Sequence, residues 1–270
     1  MTDFVGASED RTLYKHILFS AELGRQAGVI RWSPKGTIPV IRDMHVIDLC
    51  AGDGAGTEFS PYTSPGIIAH HFDDKKGLSY GVKKHATLYE KAPGTFSRLQ
   101  QIYGHRRDFT LINDDAANFR VAPTHPNQAI FVYADPNALS QIPLNSGMIN
   151  SFTPYTTFMA TLGCNVGGVK RLTKDRRDKY IAVIDELTNS VPAFHDCILV
   201  RVLRDAAQWA YLIRLPLVWS QKSMRTFKKK GDEVFPNGVE VFSLRHSTPA
   251  AWRDVLDVLL YTKKERAGNV

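Results

Sequence analysis

The sequence predicts an α/β protein with a Rossmann-like, mostly parallel sheet, helices on both faces and an antiparallel edge hairpin. Three observations lead there. Short apolar runs alternate with helix-compatible segments, the cadence of parallel strands joined by crossover helices. A glycine-rich turn, Cys50-Ala51-Gly52-Asp53-Gly54-Ala55-Gly56, follows the first run. Late in the chain, two strand-like runs are separated by only a short polar link, Arg204–Gln208, which suits an antiparallel hairpin.

Residues 10–28 place apolar side chains at helical spacing and stop near Gly28. Strands are expected at His45–Cys50, Ala86–Glu90, Phe109–Asn113, Ala129–Ala134, Thr156–Leu162, Cys197–Leu203, Trp209–Leu215 and Val239–Leu244. Helices are expected at Gly94–Tyr103, Ala138–Ser146, Leu172–Asn189 and Pro249–Tyr261. A single domain over residues 1–270 is the simplest division. Residues 58–84, with Pro61, Pro65, Gly66, His70 and His71, read as an insertion or lid, or as an interrupted helix after the glycine turn. Residues 220–237 read as a basic loop.

Composition narrows the classes. Hydrophobic content of 43% and charged content of 23% describe a soluble globule, and no apolar run approaches a bilayer span. The N-terminus lacks the basic start and apolar stretch of a signal peptide. Cys50, Cys164 and Cys197 are isolated and without metal-ligand spacing, which implies a reducing compartment. The expected location is cytoplasmic. A net charge of +7 and a pI near 9.3 are compatible with a polyanionic partner. The basic residues cluster at Lys170, Arg171, Lys174, Arg176, Arg177 and Lys179, and again at Lys222, Arg225, Lys228, Lys229 and Lys230. The second cluster includes Phe227 and Trp219, a mixture suited to tracking a nucleic-acid backbone and stacking on a base. A solvated loop with one buried aromatic is the plainer interpretation.

The strand ends supply the candidate chemistry. Asp48 closes the first strand within the run Val46-Ile47-Asp48-Leu49-Cys50-Ala51-Gly52, and Gly52 and Gly54 let a ligand approach the backbone. Glu90 ends the second strand, placed for the hydroxyls of a ribose or else paired at the surface with a lysine. Asp114, Asp115 and Ala116 follow the third; Asp115 suits an adenine amino group or the cap of a short helix. Asp135-Pro136-Asn137 ends the fourth, held extended by the proline.

This order of acidic ends resembles the class I S-adenosylmethionine-dependent methyltransferases. The resemblance spans roughly residues 44–162. It implies S-adenosylmethionine as cofactor, with Asp48, Cys50, Ala51, Gly52 and Gly54 around its methionine part, Glu90 on the ribose, and Asp114, Asp115 and Ala116 beside the adenine. Asp135-Pro136-Asn137 falls where nucleic-acid amino-methyltransferases have an Asp/Asn-Pro-Pro-aromatic tetrad, so Asp135, Pro136 and Asn137 are the implied catalytic residues. Here the tetrad reads Asp135-Pro136-Asn137-Ala138, without its second proline and its aromatic. A stacking ring would come from elsewhere, with Tyr133, Phe152, Tyr155 or Trp219 as candidates. Asp48-Leu49-Cys50-Ala51-Gly52 together with Tyr14-Lys15-His16 also resembles the three-Cys-motif partner group of methyltransferases.

The expected activity is methylation of an exocyclic base amine, adenine in DNA before RNA, with Lys222, Arg225, Phe227, Lys228, Lys229 and Lys230 contacting nucleic acid. No metal and no membrane partner are expected. The alternatives are a methyltransferase of protein or small molecules, and a non-catalytic nucleic-acid-binding subunit. A nicotinamide fingerprint fails at Thr57, where glycine is needed, and no Gly-Lys-Ser/Thr follows the glycines to make a P-loop.

Overall fold

A computed structural model describes residues 10–32, 41, 43–56, 62–74, 82–135, 146–162, 184–185, 188, 191–202, 210–235, 237–248, 250–251 and 254. An N-terminal helix, α1 (Asp10–Trp32), precedes the sheet. Strands β1 (Asp43–Asp48), β2 (Lys83–Tyr89), β3 (Phe109–Ile112), β4 (Ala129–Ala134) and β5 (Thr156–Leu162) run parallel. Between them lie α2 (Ser64–Asp73), α3 (Pro93–Tyr103) and a short α4 (Ser146–Asn150). The chain continues through β6 (His195–Val202), β7 (Ala210–Pro216), α5 (Leu217–Val234) and β8 (Val239–Ser243).

The eight-stranded sheet has the order β3-β2-β1-β4-β5-β7-β6-β8. β7 is antiparallel to both β5 and β6, and β8 is antiparallel to β6. The expected hairpin therefore forms, as β6–β7, with β8 added outside it. The strand order reverses at β1: the chain first builds outward through β2 and β3, then returns to lay β4 on the other side of β1. Ligands of open α/β sheets bind beyond the carboxyl ends of strands at such a switch point, here between β1 and β4.

Both sheet faces are buried. Leu18, Phe19, Leu23, Val46, Ile68, Leu99, Phe131 and Phe227 belong to one apolar layer; Ile47, Leu49, Ile130, Val132, Met148 and Phe158 belong to the other. β4 is buried at every residue, which explains its unbroken apolar sequence. Among the described residues, no helix is long and apolar enough to cross a membrane.

Two expectations are corrected. Residues 58–84 are not an insertion: they contain α2, the crossover from β1 to β2, and the start of β2. Thr63 caps α2 by accepting from the Gly66 N–H at 3.3 Å, Pro65 sits in the first turn where its missing N–H has no consequence, and Ile67, Ile68 and Ala69 are buried. Nor is 220–237 a loop, because α5 fills most of it. Its inward face is Trp219, Ser223, Phe227 and Gly231, at four-residue spacing, with Ser220 beside them. Small residues on that face permit close packing: a Cβ at Gly231 would collide with Val239.

The helices expected at Ala138–Ser146, Leu172–Asn189 and Pro249–Tyr261, and the basic cluster at 170–179, fall largely or wholly outside the described residues.

Candidate functional site

The carboxyl ends of β1, β2, β3 and β4 bring the predicted residues around one switch point. Asp48 ends β1 in register with Leu88 on β2 and Tyr133 on β4. Past it, the Leu49 N–H donates to the Tyr133 carbonyl at 2.9 Å and the Ala51 N–H to the Tyr89 carbonyl at 3.0 Å. The chain thus stays pinned to both neighbours until the glycines release it.

Gly52 and Gly54 both have positive φ, +65° and +71°, a region that favours glycine. Their surroundings differ. A Cβ at Gly54 would stand 2.5 Å from the Tyr103 ring, so that glycine serves packing against α3. A Cβ at Gly52 would meet nothing within 4 Å, so that side of the turn faces open space. The Gly54 carbonyl accepts from the Thr63 hydroxyl at 3.1 Å, tying the turn to the start of α2.

Asp48 is fully buried. Its Oδ1 accepts the Cys50 N–H at 3.0 Å; the Ser64 hydroxyl lies near the carboxyl, and Oδ2 is buried without a hydrogen bond of ordinary geometry among the described residues. Burial raises its carboxyl from the ordinary 3.8 to about 7; the Ser64 hydroxyl and the Cys50 amide oppose the rise, and the charges of Asp135 and Glu90 add to it. The folded chain therefore binds more protons than the unfolded chain between those two values, and this group's contribution to stability falls as pH rises through that window. The full span amounts to roughly 4 kcal/mol. In the ligand-free protein, Asp48→Asn is expected to flatten the dependence of Tm on pH from about pH 4 to about pH 7 and to raise Tm at the upper end. Parallel pH profiles of wild type and variant would contradict this. The Cys50 thiol is pushed upward by burial and by the same carboxylates, so it stays protonated and does not act as a nucleophile.

At the end of β2, the Glu90 N–H continues the ladder to the Ile112 carbonyl. Glu90 Oε1 accepts the Ala92 N–H at 2.7 Å, a turn contact that orients the carboxylate and leaves Oε2 unengaged among the described residues. The surface pairing with Lys91 does not form; Lys91 instead bonds Asp115 Oδ2 at 2.6 Å. Asp115 Oδ1 accepts from Ala117 and caps the short 3-10 turn Ala116–Asn118, in which Ala116 is buried. With both Asp115 oxygens engaged, Asp114 is the neighbouring acid with an oxygen to spare: its Oδ1 accepts the Asp115 N–H at 2.7 Å.

Asp135 follows β4, and its Oδ1 accepts from Lys15 Nζ at 2.9 Å across the N-terminal helix. Pro136, Asn137 and Ala138 lie outside the described residues. His16, the neighbour of Lys15, is buried; burial lowers its pKa below 6.5, opposed by Asp135 and by the Tyr62 backbone. Tyr62 itself is 55% exposed, just ahead of the α2 cap that bonds the glycine turn.

No protein-family model matches the chain, and no curated protein matches it. Among solved structures, protein LPL1258 from Legionella pneumophila is similar over 88% of this chain and 97% of its own, at 9% identity and a TM-score of 0.54. An rRNA methylase from Streptococcus thermophilus is similar over 65% of this chain and 88% of its own, at 8% identity and a TM-score of 0.41. The 23S rRNA methyltransferase ErmE is similar over 77% of each chain, at 11% identity and a TM-score of 0.38. The fold is Rossmann-like.

Tyr62 is a site neighbour that sequence reasoning missed, and Lys15 and His16, singled out only through the three-Cys-motif partner resemblance, were given no place beside Asp135. The signal available was an amphipathic helix placed before the first strand, with a lysine and histidine at its start. The aromatic candidates for stacking are not free to stack. Tyr133 is fully buried with its ring 4.1 Å from Phe19, Trp219 is 2% exposed, Phe152 stacks on Phe158, and Tyr155 packs on the core. Phe227, expected at a nucleic-acid surface, lies wholly in the core.

Of the basic segment, Lys228 bonds Asp232 at 2.9 Å and Lys230 bonds Glu233 at 2.6 Å, whereas Lys222, Arg225 and Lys229 are exposed and make no ion pair among the described residues.

Proposed function

We propose that this chain is an S-adenosylmethionine-dependent methyltransferase whose acceptor is an exocyclic amine of a nucleic-acid base, adenine in DNA foremost. One observation carries the reading. At a single switch point stand a glycine turn open on one side, a buried aspartate with an orphaned oxygen, and two further carboxylates, Glu90 and Asp135.

The residues fit such a cofactor. In a protein of net charge +7, this cleft is acidic: Asp48, Glu90 and Asp135 influence one another, with Lys15 as the cation in direct contact. An acidic recess favours a cationic ligand over a dinucleotide's pyrophosphate. Asp48 Oδ2 has no hydrogen bond of ordinary geometry among the described residues, Gly52 leaves room for a ligand against the backbone, and Glu90 Oε2 is available to a ribose hydroxyl. When bound, S-adenosylmethionine supplies an electrophilic methyl group on a sulfonium.

The chain's own part is to position and polarise the acceptor. An exocyclic amine is a weak nucleophile because its lone pair is delocalised into the ring. Asp135, with the Pro136 carbonyl and the Asn137 side chain, accepts the amine hydrogens and favours the tetrahedral nitrogen of the transition state. Lys15 holds Asp135 by Oδ1, directing the remaining oxygen toward the acceptor. No neutral-pKa base is needed.

A second reading, a subunit that keeps the fold for binding without turnover, is favoured by the alanine at position 138 of the tetrad. It predicts cofactor binding with no transfer to any acceptor.

Calorimetry tests the cofactor. Micromolar binding of S-adenosylmethionine is expected, with none for NAD. Glu90→Ala is expected to weaken it about tenfold or more, the loss of a charge-assisted hydrogen bond of roughly 1.5–3 kcal/mol. No binding, with or without added DNA, would overturn the proposal.

A further inference from the structure

The exposed face of α5 bears charges that the fold does not use. From Leu217 to Lys230 the helix has five cations, Lys222, Arg225, Lys228, Lys229 and Lys230, and no acid. Its acids, Asp232 and Glu233, sit in the last turn, next to the negative end of the helix dipole, where acidic side chains are least favourable. Lys228 and Lys230 pair with those acids. Lys222, Arg225 and Lys229 are exposed and have no ion-pair partner among the described residues, three and four residues apart along one ridge. Like charges at those spacings destabilise a helix, so helix stability does not account for the pattern.

The ridge is rigid and has a direction. Beneath it Trp219, Ser223, Phe227 and Gly231 are locked into the core, and Ser223 bonds Glu22 of α1 at 2.9 Å. α5 leaves β7 beside His195, at the start of β6, and ends next to Val239, which pairs with Val202 at the end of β6. It therefore climbs toward the sheet end that holds Asp135, alongside α1, which delivers Lys15 there. From Lys222 to Lys229 the rise is about 10 Å, roughly three phosphate-to-phosphate steps along one duplex strand.

We infer that Lys222, Arg225 and Lys229 form a docking ridge for the phosphate backbone of a nucleic acid, and that Lys228 and Lys230 take no part. The inference rests on the nucleic-acid acceptor proposed above and assigns the surface that holds that acceptor. Contacts of this kind read charge and not sequence, so they supply affinity that falls with salt.

The test is fluorescence anisotropy with a labelled random-sequence duplex, DNA in one arm and RNA in the other, titrated over a range of salt. The triple variant Lys222→Gln, Arg225→Gln, Lys229→Gln is compared with the double variant Lys228→Gln, Lys230→Gln; far-UV circular dichroism confirms that both fold. The triple variant is expected to bind about tenfold or more weakly at moderate salt and to lower the salt slope by about 2–3. The double variant should stay within about twofold of wild type, the scatter allowed for charges outside the contact. Loss in both arms marks backbone recognition in general, and loss in one arm identifies the duplex that docks. An unchanged slope in the triple variant, or an equal loss in the double variant, would overturn the ridge. So would ridge-dependent binding to phosphatidylserine vesicles with duplex binding intact. Calorimetry with S-adenosylmethionine on the same proteins keeps the two ideas apart: ridge-dependent duplex binding without cofactor binding sinks the transferase reading and leaves the ridge standing.

Discussion

Asp135→Ala is expected to reduce methyl transfer by about a thousandfold or more, the scale on which transition-state hydrogen-bond partners act. Affinity for S-adenosylmethionine should stay within a few-fold. The physical reason is selective. The amine's hydrogens become more acidic as its nitrogen turns tetrahedral, so an acceptor at Asp135 is worth more in the transition state than in the ground state. The residues proposed to hold the cofactor, Asp48, Gly52 and Glu90, are held by other strand ends and by their own hydrogen bonds. Asp135→Asn separates two effects. It keeps an acceptor oxygen but removes the charge that Lys15 engages, so it should fall between alanine and wild type. The readout is labelled methyl transfer to duplex DNA, with calorimetry on the same preparations. A fully active alanine variant would sink the placement of catalysis at Asp135.

Much of this site was readable because its parts lie at strand ends. Apolar runs bounded by Asp, Gly and Pro located β1 through β5 to within a few residues, and the acidic ends came with them. Register then did the assembling, since parallel pairing aligns the carboxyl ends of neighbouring strands.

The errors have physical causes. α2 was legible only as an interrupted helix beside the insertion reading, because Pro65 and Gly66 are unfavourable in a helix interior but tolerated in its first turn. α5 was hidden because Ser220, Ser223 and Gly231 occupy buried positions, and polar or small residues there break the apolar stripe. Contacts between residues far apart in sequence left no trace at all. Lys15 and Asp135 are 120 residues apart, and although both neighbourhoods figure in one family resemblance, neither says that the two side chains meet.

The largest effect on stability is expected from a residue with no role in the chemistry. Glu22 of α1 is fully buried and accepts from Arg25 Nε at 2.8 Å, from Arg25 Nη2, from Gln26 at 2.8 Å and from Ser223 at 2.9 Å. Gln26 continues to the Thr157 hydroxyl at 2.9 Å, so one carboxylate joins α1 to α5 and, through Gln26, to β5. Arg25 already has a buried Nη1 without a partner. Glu22→Ala would strand its charge in the core, at a cost of about 3–5 kcal/mol. In a domain of this size that lowers Tm by on the order of 10 °C. Glu22→Gln, which retains an oxygen acceptor, should lose less. Replacing Glu22 and Arg25 together by methionine should recover most of the loss, because the penalty comes from the unpaired cation and not from absence of the pair. Thermal unfolding by calorimetry checks all three, and a Glu22→Ala protein that melts with wild type would refute the argument. The consequence reaches the site. Lys15 lies about two turns from Glu22 on the same helix, so the position of the lysine at Asp135 depends on how firmly α1 is seated. Glu22→Ala is therefore also expected to lower methyl transfer at temperatures well below its Tm, while the double methionine variant, with α1 reseated by apolar contacts, regains it.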